Sequence, residues 1–192
     1  MEIKAIFGLL SSIVLIIGGV PYLRDIHRKK VHPHILSWIG WSFITGLGGS
    51  AMLASGSRWV VALMFANTLL CFVIAGYAII RKAGVWSVSA YDFLLFGLGI
   101  LGLILWLIIG LPIIALVLAI TADLCFGLPT IIKTYREPES ETYFAWLASA
   151  ISGLLSLCAI QNFTFSEIAY PGYLFVFDTL VLLFILKVIK KK

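Results

Sequence analysis

Seven stretches of this chain are apolar enough and long enough to cross a lipid bilayer, and little lies between them. They run over 5–23, 34–55, 58–81, 91–110, 112–133, 142–162 and 171–188, each near the roughly 20 residues that a spanning helix needs. Hydrocarbon offers no water to backbone N–H and C=O groups, so such stretches fold as helices that satisfy their own backbones. Two of the links are tight, Ser55-Gly56-Ser57 and Gly110-Leu111-Pro112, and both set their flanking helices antiparallel. Only 12% of the 192 residues are charged, against roughly 25% in soluble domains. The expected fold class is an all-α integral membrane protein with seven transmembrane helices, its core set by helix packing in lipid.

The placement of charge supports this count. Arg24, Arg28, Lys29, Lys30, Arg81, Lys82, Lys133, Arg136, Lys187, Lys190, Lys191 and Lys192 all fall on one side of a seven-span chain, and only Lys4 and Arg58 on the other. Lys and Arg concentrate on the cytoplasmic side, so the N-terminus is expected outside and the C-terminus in the cytoplasm; which membrane is left open. The net charge of +5 thus reads as a topology signal, and no nucleic-acid partner is expected. The first stretch is followed by Pro21 and a basic run rather than a small-residue cleavage pattern, which marks a retained helix and not a signal peptide.

The chain also repeats itself. Gly19-Val20-Pro21 is followed by Trp38, and Gly127-Leu128-Pro129 by Trp146; 127 − 19, 129 − 21 and 146 − 38 all give 108. Asn67-Thr68 then pairs with Asp178-Thr179 at an offset of 111. A fixed offset over several positions marks an internal repeat. The expected organisation is a three-helix unit over 1–82, a linker with a single inverter helix over 83–111, and a second three-helix unit over 112–192. An odd number of spans per unit requires the extra helix if both copies are to run the same way. The fourth stretch, apolar all round from Phe93 to Ile109, suits a peripheral helix against lipid; Asp92 sits at its edge as an interfacial residue.

Three polar groups fall at comparable depth. Asn67 lies 67 − 58 = 9 residues in from Arg58, Asp123 lies 123 − 112 = 11 in from Pro112, and Asp178 lies 178 − 171 = 7 in from Pro171. A carboxylate at the bilayer centre costs about 2.5–3.5 kcal/mol on insertion scales, so such groups face the bundle interior or a wet cavity. Asn67 and Asp178 are repeat-equivalent and read as a substrate-binding pair, or else as a tie between helices. Asp123, whose counterpart is Leu15, is open to Thr121, Thr179 or tyrosine partners; with Asp178 it is a candidate for proton coupling. Trp38 and Trp146, about one turn inside the cytoplasmic ends, form either an interfacial belt or an aromatic layer of the pocket. Trp41 lies one turn further in and answers to Ser149. Pro21 and Pro129 each remove a backbone donor and read as hinges of an inner gate, or else as simple helix ends. Small residues at 45–50 and at Ser149, Ser152, Gly153 and Ser156 allow close helix approach or leave room for a ligand.

His27, His32 and His34 read as solvated loop residues, since no acidic or cysteine cluster joins them in a metal site. Cys71, Cys125 and Cys158 read as packing residues, and Lys187 as a snorkelling side chain. No nucleophile–base pair, phosphate loop or metal motif is present, so neither an enzyme nor a cofactor is expected.

Three-plus-one-plus-three spans with a proline near the inner end of spans one and five resemble the SWEET and PQ-loop (MtN3-like) transporter superfamily. The resemblance covers essentially the whole chain, on short motifs. It implies that Asn67 and Asp178 occupy the place of the paired pocket asparagines of the SWEET sugar carriers. The chain departs from the pattern in two ways. Tyr22 and Thr130, not glutamine, follow the two prolines, and one pocket amide is a carboxylate. Cystinosin and the lysosomal cationic amino acid exporters, which are proton-coupled, share the architecture; so do the PnuC-type vitamin carriers, whose tryptophan pairs Trp38-x-x-Trp41 resembles, and the KDEL receptor. The resemblance implies alternating-access transport of a sugar or other small polar solute, with the bilayer as partner and self-association left open. The other reading is a seven-span receptor or sorting factor that binds a ligand at 24–34 without moving it.

Overall fold

The computed structural model describes residues 2–84 and 90–189. It holds seven α-helices: α1 (Ile3–His27), α2 (Ile35–Ala54), α3 (Val61–Ile80), α4 (Ala90–Ile109), α5 (Pro112–Arg136), α6 (Tyr143–Cys158) and α7 (Phe165–Ile189), with a 3-10 turn at Pro138–Ser140 before α6. Among the described residues there is no strand. The chain is an all-α, membrane-embedded protein: α1, α3, α5 and the Phe165–Leu186 part of α7 are each long and apolar enough to cross a bilayer. α2 is diluted by Ser, Thr and Gly, and α6 has 16 residues, about 24 Å of helix. The side chains of Asp92, Pro129 and Lys187, and the whole of 190–192, lie outside the described residues, so the readings of Asp92, Lys187 and Lys190–Lys192 are not addressed by the structure.

Local chemistry sets the ends. Lys29 and Lys82 take positive φ, 54° and 50°, and Gly56 takes 89°. At each, the following N–H reaches back five residues (Lys30 to Asp25, Ala83 to Ala78, Ser57 to Met52), which caps the last carbonyls of α1, α3 and α2. The loop histidines are not merely solvated, because each spends a ring nitrogen on a neighbour. His34 caps α2 by accepting from the Ser37 N–H, His27 meets the Tyr77 hydroxyl at 2.8 Å, and His32 meets the Ala83 carbonyl at 3.0 Å.

Three boundaries depart from the sequence reading. α7 begins at Phe165, not near Pro171, because the Glu167 carboxylate accepts the backbone N–H groups of Gln161 and Asn162 at 2.7 and 2.9 Å and closes the turn ahead of it. Pro171 therefore lies inside the helix. Pro21 and Pro129 are not helix ends either. α1 continues for 27 − 21 = 6 residues past the first and α5 for 136 − 129 = 7 past the second. Neighbouring helices and local adjustment let membrane helices carry proline in this way.

The helices close a ring in the order α1, α3, α2, α5, α7, α6 and back to α1, with α4 outside it against α5 and, more lightly, α2. Exchange α1 with α5, α2 with α6 and α3 with α7, and this set of neighbours maps onto itself. The first helix of each trio packs on its own third helix and on the second helix of the other trio. Close approach needs glycine at particular points. A Cβ on Gly48 would overlap the Tyr170 ring, and one on Gly153 would stand 2.9 Å from the Phe175 Cα.

Candidate functional site

One cavity lies inside the ring, and every ring helix lines it: Leu15, Gly19 and Tyr22 from α1, Trp38 and Trp41 from α2, Asn67 and Cys71 from α3, Asp123 from α5, Trp146 and Ser149 from α6, and Phe177 and Asp178 from α7 among others. No described residue of α4 does. The positions that the repeat pairs in the sequence thus face one space: Asn67 with Asp178, Trp38 with Trp146, Trp41 with Ser149, and Leu15 with Asp123. Asp178 lies 178 − 165 = 13 residues into α7 and Asn67 67 − 61 = 6 into α3. They share a level because α7 starts further out than Pro171.

The cavity lies toward one end of the bundle. That end carries the C-termini of α1 and α3 and the N-termini of α2 and α6, where Thr142 donates to Asp25 at 2.9 Å. At the other end, Trp59 and Gln161 both donate to Glu2, at 3.1 and 3.3 Å, and Lys4 donates to the Cys158 carbonyl. The half next to it is filled by Met52, Leu63, Met64, Leu116, Ile160 and Tyr170, each 4% exposed or less.

The two acids differ. Asp123 has both oxygens occupied: Tyr170 donates to Oδ2 at 2.7 Å and Tyr173 to Oδ1 at 2.8 Å. Of the partners that the sequence left open, tyrosines take it. Asp178 accepts the Ser149 hydroxyl on Oδ2 at 2.5 Å. Its Oδ1 accepts nothing among the described residues, although the side chain is only 5% exposed. Asn67 Oδ1 takes a weak donation from the Cys71 thiol at 3.7 Å.

Aromatic rings wall the cavity. Trp38 packs on Tyr22 and, edge to face, on Trp41, with centroids 5.1 and 5.3 Å apart. Across from them Trp146, Phe177 and Tyr173 form a chain at 6.2 and 5.8 Å. Two indole N–H groups are committed away from the cavity centre: Trp41 donates to the Asp123 carbonyl at 3.4 Å and Trp146 to Glu141 at 2.9 Å.

Below the polar pair the two trios diverge. Thr68 bonds Thr45 at 2.9 Å, and its carbonyl accepts from Ser42. The positions that answer to Thr45 and Thr68 are Gly153 and Thr179. Gly153 carries no hydroxyl, and the buried Thr179 hydroxyl has no partner among the described residues. The prolines diverge as well. Pro129 cannot donate to the carbonyl four residues back, Cys125, and the Tyr91 hydroxyl of α4 donates to it at 3.2 Å. Pro21 leaves the Ile17 carbonyl in the same state, on a lipid-facing residue that is 63% exposed.

The sequence reading missed Tyr22, Tyr170 and Tyr173. The two α7 tyrosines sit at i and i+3, one helical face, but Tyr170 lies ahead of Pro171, where the span was expected to start. Compared with protein-family models, curated proteins and solved structures, the chain matches none.

Proposed function

We propose that this protein is a seven-span carrier of a small polar solute, built from two parallel three-helix units and working by alternating access, as the resemblance to the SWEET and PQ-loop superfamily implies. The observation that carries this reading is the cavity itself: all six ring helices line it, and repeat-equivalent residues meet there. A carrier needs a site that two similar halves can close from either side in turn. Asn67 and Asp178 bind the solute's polar groups, Trp38, Trp41 and Trp146 wall it, and Pro21 and Pro129 let the inner ends of α1 and α5 bend. Asp178, with an oxygen that has no partner among the described residues, is the better proton-coupling candidate, and Asp123 is a fixed strut. With the N-terminus outside and the C-terminus in the cytoplasm, the cavity lies toward the cytoplasm and the packed Met52–Tyr170 half closes the outer side.

Solute exchange in proteoliposomes tests this. Loaded vesicles carrying the protein are expected to exchange a bound solute, and Asn67→Ala is expected to weaken its binding by about 0.5–1.5 kcal/mol, the worth of one hydrogen bond. Binding without exchange would make it a receptor of the same shape instead.

A further inference from the structure

We infer that the cavity selects a small organic ammonium ion; this rests on the carrier reading above for transport, but not for binding. The first ground is charge. Asp123 and Asp178 both face the cavity, and among the described residues no Lys, Arg or His lines it. The one salt bridge among the described residues, Arg24 with Asp25, is elsewhere. An anion would meet two carboxylates and no counter-charge, in a region where unpaired charge is costly.

The second ground is the inventory of hydrogen-bonding atoms. Asp178 Oδ1 is an acceptor with no donor among the described residues, on a side chain 5% exposed that lines the cavity. The Trp41 and Trp146 N–H groups are spent on Asp123 and Glu141, and the Ser149 hydroxyl on Asp178; the Asn67 amide N–H groups have no partner among the described residues and are left to donate. A sugar presents hydroxyls that need acceptors and donors in equal measure. An ammonium group presents only N–H or N–CH3 and asks only for acceptors and π-faces.

The third ground is the wall. Tyr22, Trp38, Trp41, Trp146 and Phe177 supply aromatic surface around a buried acid, and cation–π attraction to tryptophan is strongest when the cation is desolvated. The cavity volume is about 70 Å³.

The test is thermal unfolding of the purified full chain in detergent, titrated with choline, ethanolamine, glucose, lactate and 3,3-dimethylbutan-1-ol, the uncharged isostere of choline. Choline or ethanolamine is expected to raise the melting temperature at about one-tenth of the isostere's concentration or less, with glucose and lactate without effect. Asp178→Asn is expected to abolish the preference for choline over the isostere, and Trp38→Leu to reduce it. Should Asp178→Asn fail to fold, the choline–isostere comparison on the native protein decides alone. Equal action of choline and isostere, stabilisation by glucose or lactate instead, or no shift with any ligand overturns the inference. Choline binding without exchange in vesicles leaves the ammonium site standing and removes the carrier reading. Glucose binding with exchange does the reverse.

Discussion

Removing both phenolic hydroxyls from α7, as Tyr170→Phe with Tyr173→Phe, is expected to destabilise the protein by about 2–4 kcal/mol. The two hydroxyls are the donors to Asp123, at 2.7 and 2.8 Å, and Asp123 is 3% exposed. Phenylalanine keeps the ring packing, so the loss is that of two hydrogen bonds to one buried acid. Hydrogen bonds to charged groups contribute about 1.5–3 kcal/mol in soluble proteins. Membrane proteins give about 0.6 kcal/mol on average and about 1.7 at most, because the reference state also finds partners. The range given lies between these. A rescue separates this account from a simple packing defect. Asp123→Leu, added to the double variant, installs the residue that the first unit carries at the equivalent position, Leu15. Replacing every member of a buried polar group by apolar side chains is often neutral, so the triple variant is expected to recover most of the lost stability in a detergent melt. If the triple variant is no more stable than the double, the tyrosines act through packing and not through Asp123.

Pro21→Ala is expected to move stability and function in opposite directions. Proline inside a helix costs about 3 kcal/mol relative to alanine in water, through the missing donor and the clash with the carbonyl four residues back. Here that carbonyl belongs to Ile17, on the lipid face of α1. Alanine supplies the donor, so the variant is expected to melt higher, by up to about 3 kcal/mol of added stability. If α1 bends at Pro21 to open the inner side, exchange in vesicles falls several-fold in the same variant. Pro129→Ala is expected to do less, because Tyr91 already donates to the freed Cys125 carbonyl and braces that turn. A more stable Pro21→Ala protein that exchanges at the native rate would leave Pro21 without a role in gating.

These two cases show where the sequence was legible. Asn67, Asp178, Trp38 and Trp146 could be picked out because a fixed offset ties residues of one unit to those of the other, and an offset survives the loss of every neighbour. The ring of helices was less legible, since which helix packs on which depends on side-chain contacts far apart in the chain. The start of α7 was misread for a specific reason. Pro171 looks like a boundary, whereas the helix opens at Phe165, just after Thr164 in a Thr-x-x-Glu sequence of the kind that opens many helices, with Glu167 holding the turn ahead of it. Reading that pattern would have put Tyr170 on the same span as Asp178. The partners of Asp123 were undecided because the repeat breaks there: Leu15 gives no hint of what an acid at that place would bind. The unpartnered hydroxyl of Thr179 has a similar origin, since its hydroxyl-bearing counterpart across the helix pair exists only in the first unit, as Thr45.

The central claim is that one cavity is reached from both sides of the membrane in turn. It is tested most directly by thiol accessibility at Ala145, which lines the cavity on α6. The native cysteines Cys71, Cys125 and Cys158 are replaced by alanine and Ala145→Cys is added. The protein is reconstituted in sealed vesicles of known orientation, and a membrane-impermeant methanethiosulfonate is applied to one side at a time. The account predicts modification from both sides, faster from the side that bears the N-termini of α2 and α6, toward which the cavity of this conformation lies, and slowed from each side by a bound solute. Modification from one side only, unchanged by solute, would contradict it.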